Sequence, residues 1–254
     1  MLVLKERNFM SMTLGRKAAL MAVYAERYVL PLVFSYLGWK EFHRLWIGWP
    51  DNPGTENAVF VEIVRHEIRL LLYVYISFLL LLGRRVAVPP QKLRDIFVPL
   101  TTTFFYFTYN AISWFPTSLQ KSLCPTSLQA PLAAAGFILG VVGSAVTIWG
   151  ALRLGRSFGV LVLVRKVVLA GPYRWVRHPM YLGYIGLFAG LVLANFSGAY
   201  FILVPIHTFL LLYRARLEEA RLAEYSADYR EYMKRTGFVF PRLRRAADNP
   251  EETK

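Results

Sequence analysis

Long apolar runs alternate with short polar stretches along this chain, and the runs have membrane-crossing length. A bilayer core asks for roughly 20 predominantly apolar residues in a helix. Six segments meet or approach that: residues 18–37, Leu70 to Leu82 (extended by 63–68 with interruptions), Ile96 to Phe115, Pro131 to Leu152, Tyr181 to Leu193 and Gly198 to Tyr213. The first is the weakest, because Glu26, Arg27 and Pro31 interrupt it, and it is equally compatible with lying along the interface. In Pro131 to Leu152, Gly136, Gly140 and Gly143 recur at near-helical spacing, a pattern that lets helices approach closely in lipid. The last two runs are parted only by Asn195-Phe196-Ser197, which predicts a helical hairpin with a very short turn.

After Tyr213 the pattern changes. Leu217, Leu222, Tyr225, Tyr229 and Tyr232 recur at helix-like spacing among charges, which predicts an amphipathic helix ending near Gly237. Phe238 to Leu243 reads as an extended segment that docks back, and residues 246–254 as a disordered tail. The fold class that follows is all-α, a polytopic transmembrane protein of about five to six spans with a C-terminal membrane hairpin and a cytoplasmic amphipathic helix. Three regions are expected: an N-terminal transmembrane region over 1–130 with a long outer loop at 38–68, a core over 131–245, and the tail. Trp39, Trp46 and Trp49 in that loop suit anchoring at the interface.

Charge adds an orientation. Of the Lys and Arg residues, 24 fall in the N-terminal tail, 83–94, 152–178 and the segment from Arg214, against 4 in the loops at 38–68, 116–130 and 195–197. Positive residues gather on the cytoplasmic side, so both termini are expected there. The same asymmetry accounts for a net charge of +14 through anionic lipid, without nucleic acid. Composition agrees: 18% charged residues is below the roughly 25% of soluble domains. The single cysteine, Cys124, rules out an internal disulfide framework and a cysteine-based zinc site. No removable signal peptide is expected, nor a prenylation ending. Phosphate-binding, dinucleotide, zinc-protease and serine-hydrolase motifs are absent from the sequence.

Candidate chemistry sits where charge interrupts apolar sequence. Gly171 to Gly183 reads GPYRWVRHPMYLG, and Arg214 to Glu219 reads RARLEE. These two clusters flank the predicted hairpin and can therefore meet at one membrane face. His178 precedes Pro179, so its backbone is biased away from helix, while Pro179 suits a first helical turn. Arg214 and Glu218 are four apart and share a helix face. Arg174 and Arg177 read as lipid-headgroup anchors, and His43, His66 and His207 as isolated and non-catalytic. A ligand carrying both a carboxylate and cationic or hydroxyl groups suits this mixture: S-adenosylmethionine fits it, and a dinucleotide fits in part.

The pattern G-P-Y-R-x-V-R-H-P-x-Y-x-G, a short apolar hairpin, R-x-x-x-E-E, an aromatic-rich helix and P-R-L resembles the isoprenylcysteine carboxyl methyltransferases. These belong to a wider group of membrane methyltransferases that includes phospholipid and thiol methyltransferases. The resemblance covers about residues 150–243. It implies S-adenosylmethionine as cofactor, with contacts at Arg165, Lys166, Val167, Val168, Tyr173, His178, Pro179, Met180, Tyr181 and Glu218, and no metal. It implies that Arg214 holds a lipid or lipid-linked acceptor near the donor methyl group, in a cytoplasmic pocket reached from the bilayer. Two departures stand out: position 165 is Arg where His is common, and residues 222–229 lack the usual F-G step.

Methyl transfer is an in-line displacement that positioning and desolvation promote. A carboxylate acceptor is ionised at neutral pH and needs no base, whereas an amine or thiol would need His178 or Glu219. The reading is thus a methyltransferase with Arg214 and Glu219 as catalytic residues. Its alternatives are a phospholipid N-methyltransferase, a small-thiol S-methyltransferase, a sterol-type NADPH-dependent membrane reductase, or a non-enzymatic transporter or scaffold.

Overall fold

The structure is a computed structural model, and it describes residues 14–46, 70, 73–83, 88–165 and 167–242. Of the loop expected at 38–68, residues 38–46 are helical and most of the rest, with His66, lies outside these, as do Lys166, Leu243 and the C-terminal tail. The described residues are helical, with isolated bridges and no strands. Contacts sort the chain into two units: residues 1–103 with 154–166, and residues 104–153 with 167–254.

In the first unit, α1 (Leu14–Tyr24) and α2 (Leu30–Trp46) run on through a π-helical turn at Ala25–Val29. Gly15–His43 is long and apolar enough to cross a membrane, so the weakest of the six runs has the length and composition of a span. Helical residues 73–81 form α3. Its Ser77 hydroxyl donates to the Pro31 carbonyl at 2.9 Å and lies 2.8 Å from the Ser35 hydroxyl. Next comes α4 (Arg94–Phe104), whose Asp95 carboxylate accepts from the Gln91 and Lys92 amides at 3.1 Å. The run Ile96 to Phe115 is not one α-helix: α4 contains Pro99 and gives way to a tighter 3₁₀ run over Phe105–Trp114. A proline removes a donor from the ladder, and β-branched threonines at 101–103 add little helical preference.

The second unit holds α5 (Thr117–Gln120), α6 (Thr126–Leu154), α7 (Pro179–Asn195), α8 (Gly198–Tyr225) and α9 (Ala227–Arg235). Among the described residues, α6 and α8 join Gly15–His43 as the helices long and apolar enough to cross a membrane, and α7 is a shorter apolar helix. The two long helices of this unit differ in use. At about 1.5 Å per residue, the 28 residues of α8 extend about 42 Å, beyond a roughly 30 Å hydrocarbon core. Its last turns, with Arg214 to Glu224, thus project as a rigid extension of the span rather than as a separate helix.

Glycine sets the packing of α6 against α7. A Cβ on Gly136 would come 2.5 Å from the Gly190 carbonyl oxygen, one on Gly143 equally close to that of Gly183, and one on Gly150 3.2 Å from the Met180 amide. Positions 136, 143 and 150 are two turns apart and share a face, so the helices run antiparallel with backbones in contact. The periodicity of Gly136, Gly140 and Gly143 anticipated this contact: a Cβ on Gly190 would come 2.9 Å from the Gly140 amide nitrogen. The hairpin turn between α7 and α8 uses Phe196 in the left-handed region (φ 41°). Its carbonyl accepts from the Leu123 amide at 2.8 Å.

Candidate functional site

The antiparallel α7–α8 hairpin brings the start of α7 to the polar end of α8, which is where the two sequence clusters lie. His178 caps α7 with φ −126° and ψ 63°, and Pro179 takes the first helical position, as the His-Pro step predicts. One α-turn later Tyr181 stacks on the His178 ring, 5.1 Å between centroids with an interplanar angle of 1°. The segment before them is pinned by Tyr173, whose hydroxyl donates to the Gly150 carbonyl at 3.4 Å.

On α8, Arg214 and Glu218 meet as their four-residue spacing requires. The Arg214 Nε donates to Glu218 Oε1 at 2.9 Å, and the Tyr181 hydroxyl donates to the same oxygen at 2.7 Å. His178 lies between two carboxylates: its Nε2 is 3.3 Å from Glu219 Oε1 and its Nδ1 is 4.0 Å from Glu218 Oε2. The adjacent acids are not equivalent. Glu219 is 3% exposed and forms an ion pair with the half-buried Arg177, whereas the Glu218 side chain is 24% exposed. Burying a charge demands a paired and hydrogen-bonded partner, and Glu219 has two.

Arg177 corrects its sequence reading as a headgroup anchor. Its half-buried guanidinium pairs with Glu219 and donates to the carbonyls of Met233 (3.0 Å) and Thr236 at the end of α9. A headgroup anchor must reach lipid, and this side chain is spent on closing the α9 terminus, where unpaired carbonyls favour a cation. Arg174 is exposed, in keeping with an anchor.

The C-terminal segment docks back as its pattern predicts. Val176 bridges Gly237 in parallel, the Arg177 amide donates to the Gly237 carbonyl at 2.8 Å, and the His178 amide to that of Phe238 at 3.1 Å. Phe238 sets its ring edge-on to His178, 5.1 Å between centroids, with the Arg216 guanidinium 4.2 Å above its face. Phe238 and Arg216 were not picked out as site residues, since their roles depend on a chain return that spacing does not show. Helix α9 carries the return: Ser226 caps it by accepting from the Tyr229 amide at 3.1 Å. Tyr229 and Tyr232 are buried as expected, Tyr225 is exposed, and the Tyr232 hydroxyl donates to the Tyr173 carbonyl. Burial pushes the Tyr173 and Tyr232 hydroxyls above their ordinary range, so both serve as neutral donors.

Of the sequence-derived candidates, His178, Tyr181, Arg214, Glu218 and Glu219 form one contiguous network. Tyr173, Pro179 and Met180 are buried supports beside it, with the Met180 carbonyl 3.4 Å from the Thr147 hydroxyl. Val167 and Val168 belong to the same unit and are half-buried. Arg165 belongs to the first unit, where its Nη2 lies 3.2 Å from Glu26 Oε2. Lys166 falls outside the described residues. Among the described residues, no group of His, Cys, Asp and Glu side chains converges as a metal site.

Residues 132–227 match the model of the phospholipid methyltransferase family. The chain is also 31% identical over 144 residues to the protein-S-isoprenylcysteine O-methyltransferase of Saccharomyces cerevisiae, covering 53% of this chain and 56% of the yeast protein. The chain therefore spans little more than half the length of that curated relative. The paired clusters of the α7–α8 hairpin all lie inside the segment that is similar to the phospholipid methyltransferase family.

Proposed function

We propose that this protein is an S-adenosylmethionine-dependent methyltransferase acting on a membrane-partitioning acceptor, and that the acceptor group is a carboxylate of an isoprenylcysteine-like or other lipid-borne molecule. The observation that carries the reading is the junction of His178, Tyr181, Arg214 and Glu218 at the polar end of an apolar hairpin.

The residues suit the donor. A zwitterionic sulfonium asks for an anionic group open to it beside cationic and aromatic ones. Glu218 is that carboxylate, held by Tyr181 and Arg214 but still part-exposed, and the His178–Tyr181 stack offers an aromatic wall. Bound there, S-adenosylmethionine supplies an electrophilic methyl group. Glu218, Tyr181 and His178 hold and orient it, with Tyr173, Pro179 and Met180 forming the floor, and Val167 and Val168 as further contacts by family resemblance. Phe238 sets its ring edge-on to His178, and an apolar wall beside the sulfonium favours displacement at its methyl carbon.

Arg214 is the group for a carboxylate acceptor, a fork matched to such a partner. Glu219 is engaged by both Arg177 and His178, which suits holding His178 in place better than removing a proton from an acceptor. That arrangement favours an acceptor that needs no base. The 24-to-4 asymmetry of positive residues supports a multi-pass protein with its site and both termini at the cytoplasmic face.

Calorimetric titration of S-adenosylmethionine and S-adenosylhomocysteine into the detergent-purified chain tests the donor, with NADPH as control and with His178→Ala and Glu218→Ala alongside. Binding of the sulfonium donor and its thioether product that both variants abolish supports the reading. Tighter binding of NADPH, or no binding of the pair, sinks it.

A further inference from the structure

The last two turns of α6 and the 3₁₀ turn Gly171–Arg174 meet in one exposed patch of the second unit. Trp149 and Trp175 lie ring to ring, 5.7 Å between centroids, yet they are 38% and 58% exposed. Leu152 on α6 and Leu169 just before the turn are exposed as well. Two cations frame the rings. Arg153 crosses the turn: a Cβ on Gly171 would come 2.8 Å from its Cγ and 3.0 Å from its Nε. Gly171 also takes φ 65°, a second reason for glycine there. Arg174 ends the same turn and is exposed. Neither guanidinium has a carboxylate partner among the described residues, and no Asp or Glu occurs in the sequence between Asp95 and Glu218. The turn is held from beneath. The Tyr173 hydroxyl donates to the Gly150 carbonyl of α6 at 3.4 Å, and the Trp175 amide donates to the Pro172 carbonyl at 3.2 Å.

Paired exposed tryptophans at the end of a 29-residue apolar helix suit the boundary between hydrocarbon and headgroups, where an amphipathic ring meets both. Two guanidiniums without a carboxylate suit a phosphodiester, which accepts their forked N–H donors. We propose that this patch binds the headgroup of an anionic phospholipid, its phosphate held by Arg153 and Arg174 and its glycerol backbone level with Trp149 and Trp175. This goes beyond anchoring by Arg174 alone, because two elements of the fold supply one arginine and one tryptophan each. None of the four residues belongs to the junction of His178, Tyr181, Arg214 and Glu218. The lipid is therefore a bound partner rather than the methyl acceptor, and the proposal does not depend on the methyltransferase reading.

Native mass spectrometry of the full chain in detergent, titrated with short-chain phosphatidylglycerol and phosphatidylcholine, tests this. One phosphatidylglycerol per chain is expected to be retained at least about tenfold more tightly than phosphatidylcholine, whose choline cation meets two guanidiniums. Arg153→Gln and Arg174→Gln are each expected to weaken phosphatidylglycerol about fivefold, the scale of one arginine beside an anionic headgroup, and to leave phosphatidylcholine unchanged. Arg235→Gln, which removes an equal charge from the exposed end of α9, is expected to change neither. Equal retention of the two lipids overturns the proposal. So does a loss in Arg235→Gln as large as in the patch variants, which would mark diffuse surface charge. Displacement of the lipid by glycerol phosphate at equal concentration overturns it too, because the site would then take a soluble phosphate. Should Arg153→Gln not fold, Arg174→Gln carries the same test, judged on protein that melts like wild type.

Discussion

Two buried charge clusters divide the work between the units of this molecule, and they are built differently. Glu26 and Arg165 form a pair within the first unit, joined, among the described residues, to backbone amides rather than to a further side-chain charge. The cluster of the second unit is graded: Glu219 and His178 lie buried at one end with the half-buried Arg177, and Glu218 is part-exposed at the other. A closed pair can fix a loop but has little left to offer a ligand. A graded network can be rigid at its buried end and receptive at its open end, which is what a binding site requires.

The largest expected effect breaks the buried end of the graded network. Arg177→Ala removes one of the two partners of Glu219, frees two α9 carbonyls and loosens the docked strap, at a cost of about 3 kcal/mol in stability. A much lower melting temperature in detergent, with new proteolysis near Gly237, checks it. A variant that melts like wild type would mean that the network is not graded at all.

Next comes the open end. Glu218→Gln keeps partners for Tyr181 and Arg214 but removes the charge. Donor affinity is expected to fall by about 1.5–3 kcal/mol with melting nearly unchanged. Equal losses in both measurements would erase the distinction between the two ends.

The closed pair gives the contrasting result. Replacing both partners by apolar residues, Glu26→Leu with Arg165→Met, is expected to leave melting within about 1 kcal/mol of wild type or to raise it, because neither charge is left unpaired.

The smallest effect concerns the support beneath Tyr173. Tyr232→Phe removes one hydroxyl donor and costs about 1 kcal/mol. Burial raises the Tyr232 hydroxyl above its ordinary value of 10.0. A group raised in the fold contributes fully below the unfolded value and loses that contribution as pH climbs past it. Melting of the wild type is therefore expected to fall more steeply above pH 10 than that of Tyr232→Phe, and parallel curves would remove Tyr232 from the account.

Much of the fold was legible because membrane spans and helix faces are local properties. Apolar length marked α6, α8 and the α7–α8 hairpin, and a glycine period marked the α6–α7 contact. The His-Pro step marked the start of α7, and the four-residue spacing marked the Arg214–Glu218 pair. Where local signals conflicted, the reading was weaker. Glu26 counted against a span over 18–37, although a paired charge is tolerated there. Pro99 and the threonines at 101–103 split an apolar run into two kinds of helix.

Sequence by itself determined the class of molecule, the hairpin and the two polar clusters at its ends, because hydropathy and residue spacing act within one or two turns. Tertiary structure alone decided which acid of the Glu218–Glu219 pair stays open and that Arg177 turns inward. It also decided that Phe238 returns to His178, and that Glu26 finds Arg165. Each of these is a choice of partner for a buried polar group. Such a choice follows from which distant backbone comes within hydrogen-bond reach, and neither composition nor periodicity encodes that distance.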